Sequence, residues 1–289
     1  MSTASTRTLD VPGAAIVYDV RGPLPPADGA PPLLLVGQPM DAGGFATLAS
    51  FFPDRTVVTY DPRGLGRSTR TDGEVEHRPE QQAEDLHRLV AVLDAGPVDL
   101  FGSSGGAVTS LALVAAHPED VRTLVAHEPP VLAVLPDADL AAAAEQQVRD
   151  AYHRAGWGAG MAAFIALTSW PGPFTAEFGT DLPDPGAFGL PADDDGSRED
   201  PLLSGRSAPV TGYRPDLTAL RAAGARVLVA AGAESEGLLT WRTSAALADA
   251  LDQELVVFPS HHGGFLGDEY GQAGEPAAFA ARLREVLAG

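Results

Sequence analysis

Residues 98–106 read Val98-Asp99-Leu100-Phe101-Gly102-Ser103-Ser104-Gly105-Gly106, and this stretch decides the fold. A short apolar run ends in Gly-x-Ser-x-Gly, and a helical pattern over residues 107–116 follows at once. Strand, sharp turn and helix in that order are the context of a nucleophile elbow, where a serine on a strained turn presents its hydroxyl to a cleft. Gly102 and Gly106 leave room for the turn, because a Cβ at either position would press on neighbouring backbone. Ser104 is the central residue and the expected nucleophile, with Ser103 a bystander. Alone, the motif could equally be a glycine-rich strand-to-helix turn; the rest of the chain decides.

The chain has 289 residues, enough for one α/β domain with an insertion or for two small domains. Apolar residues make up 45% of it, which argues against wholesale disorder. No apolar run approaches the roughly 18–20 residues that span a bilayer. Residues 1–10 are polar and lack the apolar core of a secretory signal, so a cytoplasmic location is expected. The formal charge of −20 would repel a phosphate backbone or an anionic membrane, so neither nucleic acid nor membrane is an expected partner.

Cysteine is absent, which excludes disulfide, thiolate and Cys–zinc chemistry. Every basic residue is arginine, so a Schiff-base lysine, a phosphate-loop lysine and a Ser–Lys dyad are excluded too. The seven histidines show no metal spacing along the chain. His127-Glu128 is followed by two prolines and cannot start a helical His-Glu-x-x-His site. Asp193, Asp194 and Asp195 read as a solvated acidic loop. No metal or cofactor is expected.

Apolar runs alternate with helical patterns, which predicts βαβ units on a mainly parallel, eight-stranded sheet. Strands are expected at 7–11, 15–20, 32–37, 55–60, 98–102, 121–127, 226–231 and 254–258. Helices are expected at 43–52, 79–93, 105–117, 241–251 and 276–287. Pro12-Gly13 should turn the first two strands into an antiparallel hairpin at one edge. Between 129 and 224 the alternation stops. That segment has a helical stretch at 141–153, then an aromatic stretch with Trp157, Phe164, Trp170, Phe174, Phe178 and Phe188. Residues 179–200 are rich in Gly, Pro and Asp, and 191–206 read as a mobile loop. The expected division is a core at 1–130 and 225–289, with a lid inserted at 131–224 over the sheet's carboxyl edge. Lid aromatics either line a substrate pocket or pack the lid on the core.

A serine hydroxyl needs a base to take its proton, and the base needs an acid to orient it. The base should be a late histidine in a loop after the last strand. Pro259-Ser260-His261-His262-Gly263-Gly264-Phe265 meets that demand, and His262 is favoured over His261 because small residues and an aromatic anchor follow it.

With these motifs the chain resembles the α/β-hydrolase superfamily over nearly its whole length. The resemblance rests on Gly102-Ser103-Ser104-Gly105-Gly106, on the Asp-x-Arg-Gly-x-Gly-x-Ser loop Asp61-Pro62-Arg63-Gly64-Leu65-Gly66-Arg67-Ser68, and on His262-Gly263-Gly264-Phe265. Asp61 and Arg63 are expected to brace turns rather than do chemistry. Where many relatives have His-Gly, this chain has Val36-Gly37-Gln38-Pro39-Met40. Oxyanion donors in such sites are backbone N–H groups, and they are assigned to Gln38 and Gly105. The usual acid position, after strand 226–231, reads Gly232-Ala233-Glu234-Ser235-Glu236-Gly237 and holds no aspartate. The other position used in the superfamily is Glu128, at the end of the strand after the nucleophile helix. A carboxylate at the end of an apolar strand is costly unless paired, and a histidine would pair it.

The Ser-Ser-Gly elbow, His-Glu-x-Pro and Gly-Ala-x-Ser resemble zearalenone-type mycotoxin lactonases. That resemblance implies Glu128 as the acid, with Glu236 and then Glu234 as alternatives, and a macrolactone as a candidate substrate. Gly37, Met40 and Trp170 are the expected pocket-lining residues. The expected function is a cofactor-free serine hydrolase of a carboxylic ester, foremost a lactone, acting on a small apolar molecule through an acyl-enzyme. Perhydrolase or C–C hydrolase chemistry would use the same triad, and a silent small-ligand-binding protein is the reading from outside enzymes. A nucleotide-binding domain ranks last, since Gly-x-Gly-x-x-Gly spacing is missing. Oligomeric state is not legible in the sequence.

Overall fold

Alternate residues of the central strands point to opposite faces of one sheet, and each face is covered by helices. Leu34, Val36, Leu100, Leu124 and Val229 join one apolar cluster, while Leu33, Leu35, Phe101, Val125 and Ala230 join a second. All ten side chains are buried, as the near-continuous apolar runs of a doubly covered parallel sheet require. The structure is a computed structural model and describes residues 4–26, 29–271 and 273–289.

Among the described residues the sheet has nine strands: β1 Ser5–Val11, β2 Ala14–Arg21, β3 Leu33–Val36, β4 Val57–Tyr60, β5 Thr69–Arg70, β6 Val98–Ser103, β7 Val121–His127, β8 Arg226–Gly232 and β9 Val256–Phe258. Their order is β1-β2-β4-β3-β6-β7-β8-β9, with β5 paired to β2. The pairs from β4 through β9 are parallel, and β2 runs antiparallel to β1, β4 and β5. The two-residue β5 is the strand the periodicity does not predict, because two residues have no period to read.

The helices are α1 Ala46–Ser50, α2 Pro79–Leu93, α3 Gly105–Ala116, α4 Ala138–Thr168, α5 Ala208–Thr211, α6 Leu217–Ala222, α7 Leu239–Ala250 and α8 Pro276–Ala288. α2, α3 and α7 cover the first face, and α1 and α8 the second. Pro79 opens α2 at a position where no N–H is needed. α3 is predominantly apolar and buried on every side from Gly105 to Val114, which sets Ser104 at the centre of the fold. The helix expected at 43–52 divides into a 3₁₀ turn, Ala42–Phe45, and α1.

Between β7 and β8 the structure corrects the sequence reading. The helical pattern at 141–153 continues through the aromatic stretch to Thr168, so α4 has two arms meeting at Ala155 and Gly156. Gly156 has φ +84°, a conformation an L side chain rarely adopts, and a Cβ there would sit 2.5 Å from Asp194 Oδ1. The stretch 191–206 contains no helix or strand, but it is fastened. Leu203 is fully buried, and the Asp200 carboxylate accepts hydrogen bonds from the N–H groups of Leu202 and Leu203 and from Trp157 Nε1. Among the described residues no helix is long and apolar enough to cross a membrane.

Candidate active site

Ser104 sits between β6 and α3 with φ 56° and ψ −128°, a conformation that costs a non-glycine residue roughly 1–3 kcal/mol. Its N–H donates to the His127 carbonyl of β7 at 2.9 Å, and its own carbonyl accepts from Ala107 in the first turn of α3. The flanking glycines are required by close approach. A Cβ on Gly106 would lie 2.2 Å from the Val36 carbonyl oxygen, and one on Gly102 would lie 2.8 Å from Ala107 Cα. Ser103 points the other way, into the core, with its Oγ 3.4 Å from His127 Nδ1.

His262 follows β9 and reaches back toward Glu128, which follows β7 in left-handed backbone with φ 49°. Glu128 Oε2 lies 2.6 Å from His262 Nδ1 and accepts from Thr240 Oγ1, while Oε1 accepts from the Gly232 N–H at 2.9 Å. The side chain of Glu128 is fully buried, whereas that of His262 keeps 44% exposure. Burial pushes the Glu128 pKa up. The His262 charge, its hydrogen bond, the neighbouring His127 and the Thr240 hydroxyl outweigh burial and hold the carboxyl far below the ordinary carboxylate range. For His262, burial acts downward, and the Glu128 charge and hydrogen bond reverse it to leave the pKa above the ordinary 6.5. The ionised carboxylate accepts a hydrogen bond from His262 Nδ1–H, so the free lone pair of the neutral ring is on Nε2.

Glu234 and Glu236, the alternative acids, are both exposed. The 3₁₀ turn Ala233–Ser235 carries them to the surface and turns Ser235 inward instead. His261 uses Nδ1 to accept from the Gly263 N–H and has Nε2 3.3 Å from the Ala273 carbonyl. Arg63 is spent on buried Asp85 and on Asp72, and Asp61 accepts from the N–H groups of Ala42 and Arg67, so both brace turns.

Ser104 and His262 line one cavity of about 350 Å³. Gln38 and Gly105 line it too, and they are in close contact: a Cβ on Gly105 would lie 2.8 Å from Gln38 Cγ. Among the described residues no hydrogen bond uses the backbone N–H of either. The Gln38 side chain is 2% exposed, and its Oε1 accepts from Gln82 Nε2 of α2 at 3.2 Å. Gln82 Oε1 in turn accepts from Thr109 of α3 at 2.9 Å. The Gln38 Nε2 has no partner among the described residues. The opposite wall comes from both arms of α4 and the chain after it, with Val148, Phe164, Leu167, Leu202 and Val210 among the apolar side chains. Polar groups in that wall include Thr168, Ser207 and Glu145, the last paired to Arg149 at 3.1 Å and to Thr211 Oγ1 at 2.7 Å.

Gly37, Met40 and Trp170 are not among the lining residues, contrary to the sequence expectation. Met40 folds back over its own loop, where a Cβ on Gly37 would meet its Cε at 2.9 Å, and it packs on the second core cluster. Gly37 faces α3, its Cα 2.7 Å from where a Gly106 Cβ would be. Trp170 stacks on Phe174 and meets Phe178 edge to face, so this aromatic group packs the segment between β7 and β8 internally. Phe164 is the one member of the aromatic stretch on the cavity. The sequence reading missed Thr240, Gln82 and Thr109, whose roles depend on helices packing against residues distant in the chain; none stands in a motif.

A family model described as "alpha/beta hydrolase fold" matches residues 32–156. The uncharacterized hydrolase YraK of Bacillus subtilis is 33% identical over 279 residues, 91% of each chain. The chain therefore belongs to the α/β hydrolase family. Solved structures with the same fold include a thermophilic esterase from Thermogutta terrifontis, with TM-score 0.64, 21% identity and 99% of this chain and 98% of that one covered. Another is the enol-lactonase from Burkholderia xenovorans LB400, with TM-score 0.63, 17% identity and 98% of this chain and 100% of that one covered.

Proposed function

We propose that this hydrolase is a serine hydrolase of carboxylic esters, with lactones as its foremost substrates. One observation carries the reading: a serine on a strained elbow and a histidine held by a buried carboxylate open onto the same apolar cavity. Ser104 attacks the carbonyl carbon as His262 Nε2 takes its proton, and Glu128 stabilises the imidazolium. The tetrahedral oxyanion is met by the N–H groups of Gln38 and Gly105, each such donor being worth about 3–4 kcal/mol of barrier. His262 then protonates the leaving alkoxide, and a water activated by the same ring cleaves the acyl-enzyme. These residues supply every proton and charge the cycle needs, so no cofactor enters it.

The cavity is near the small end of the roughly 300–1,000 Å³ range of small-molecule sites. A lactone suits it because acyl and leaving groups are tethered and one compact volume must hold both. The motifs shared with zearalenone-type lactonases support a ring-bearing substrate. Residues 131–224 act as the lid, since they supply the wall facing Ser104, and the Glu145–Arg149–Thr211 group offers a polar anchor for a substrate hydroxyl or carbonyl. Screening the purified protein against macrolactones, small lactones and aryl esters, with Ser104→Ala as control, tests the reading. Turnover of a lactone that vanishes in the variant is expected. Turnover persisting in the variant, or none on any ester, would overturn it.

A further inference from the structure

We propose that the protein binds a first-row divalent cation, in the first instance Zn²⁺, between α2 and the turn that enters β7, using His87, His117 and Asp120. Among the described residues this is the one group of three His, Asp or Glu side chains whose potential ligand atoms all lie within 4.8 Å of one another. Its members come from two sequence pairs of the same spacing, Glu84-x-x-His87 on α2 and His117-x-x-Asp120 after α3, with Glu84 beside the group through His117. On α2, positions three apart share a face, so Glu84 and His87 stand together. The turn Pro118–Asp120, whose Asp120 N–H donates to the His117 carbonyl, brings His117 and Asp120 together.

The pairs meet crosswise. His87 Nδ1 lies 2.7 Å from Asp120 Oδ2, and His117 Nε2 lies 2.7 Å from Glu84 Oε1. The two imidazoles stack with ring centroids 3.8 Å apart and planes within 11°. Along the chain the histidines show no metal spacing, because the two halves stand about thirty positions apart and only the packing of α2 on α3 joins them.

Two imidazoles with carboxylate oxygens form a mixed N/O donor set that suits Zn²⁺, Co²⁺ or Ni²⁺, whereas Mg²⁺ and Ca²⁺ favour oxygen shells. A metal bound by an imidazole nitrogen lies in the plane of the ring, so two rings stacked 3.8 Å apart must rotate out of their stack to converge on one ion about 2.0–2.2 Å away. Their side chains are 35% and 20% exposed, which leaves that freedom. Asp120 is held at 11% exposure and supplies the fixed point. Glu84 becomes the fourth ligand or orients His117 from behind. The net charge of −20 draws a cation to the surface. The cluster is at the far end of α3 from Ser104, roughly 18 Å away along a helix of 12 residues, so it is distinct from the hydrolytic site.

The test is calorimetric titration of the untagged full chain with ZnCl₂ in a non-chelating buffer near pH 7.5, repeated with His87→Gln, His117→Gln and Asp120→Asn. Glutamine keeps an N–H donor for the facing carboxylate, so the packing survives while the imidazole ligand is lost; circular dichroism confirms that the variants are folded. One equivalent bound in the micromolar range, weakened roughly 10-fold or more by each substitution, is the expected result. Visible absorption from bound Co²⁺ should be lost in His117→Gln. No binding in that range, or binding equal in wild type and variants because the ion sits elsewhere, would overturn the proposal.

Discussion

His262 Nδ1 lies 2.6 Å from Oε2 of Glu128, across 134 positions of sequence. This contact closes the loop after β9 onto the end of β7, beside the turn that presents Ser104. A fully buried carboxylate is tolerated there because each oxygen has a partner: Gly232 on one, His262 and Thr240 on the other.

Replacing Glu128 with Gln preserves shape but removes the charge that stabilises the imidazolium and fixes its tautomer. We expect kcat on an activated aryl ester to fall by about 10⁴-fold. Glu234→Gln and Glu236→Gln should leave it near wild type, since both side chains face solvent. Steady-state kinetics of the three variants checks this, and a larger loss in Glu236→Gln than in Glu128→Gln would reassign the acid.

The pH profile should carry the same signature. In the proposed cycle His262 acts as a base only when neutral, and its pKa is held above 6.5 by Glu128. The acidic limb of kcat/KM is therefore expected to bend above pH 6.5, activity rising with pH. In Glu128→Gln the upward pull of the carboxylate charge is lost, so the limb of the residual activity should move to lower pH. A limb that stays in place in the variant would separate Glu128 from the titration.

Gln82 is expected to act through Gln38. Gln82→Leu leaves the Gln38 amide oxygen and the Thr109 hydroxyl without partners, at about 1–3 kcal/mol for each buried group left unpaired. With Gln38 less firmly held, kcat should fall about tenfold, close to 1.4 kcal/mol of barrier, with KM little changed. Urea denaturation and kinetics well below the melting temperature separate the two effects. A loss of stability with kcat intact would make Gln82 purely structural.

Arg63 and Asp85 form a buried pair, both nearly inaccessible, in which Asp85 accepts from Arg63 Nε and Nη2. Asp85→Asn should destabilise the fold by up to about 3–5 kcal/mol, because it removes the buried counter-charge of the guanidinium and leaves only the less buried Asp72. Activity per folded molecule should be retained. A drop in specific activity at full folding would give Arg63 a part in the chemistry that its contacts do not suggest.

The core was legible because its signals are local. Strands β3, β4 and β6 and most of β7 and β8 bury both faces and read as apolar runs, and the elbow declares itself through Gly102 and Gly106, whose Cβ positions are occupied by Ala107 and Val36. Glu128 stood out because a charge at the end of an apolar strand demands a partner. The cavity wall was not legible. Whether Met40 or Trp170 faces a cavity depends on how the segment between β7 and β8 folds over the sheet, and residue type cannot tell a stacked Trp170 from a lining one. The second arm of α4 was missed because its aromatic residues obscure a helical pattern that continues past the break at Gly156. The Gln38–Gln82–Thr109 chain joins three segments through side-chain amides and a hydroxyl that form no motif.

The most direct test of the account is to inactivate the protein with a fluorophosphonate and locate the adduct by peptide mass spectrometry. The predicted result is one adduct, on Ser104, with Ser103 unmodified and no labelling of the Ser104→Ala variant. An adduct on Ser103 or elsewhere, or a Ser104→Ala protein that still hydrolyses ester at the wild-type rate, would contradict the assignment of Ser104 as the nucleophile.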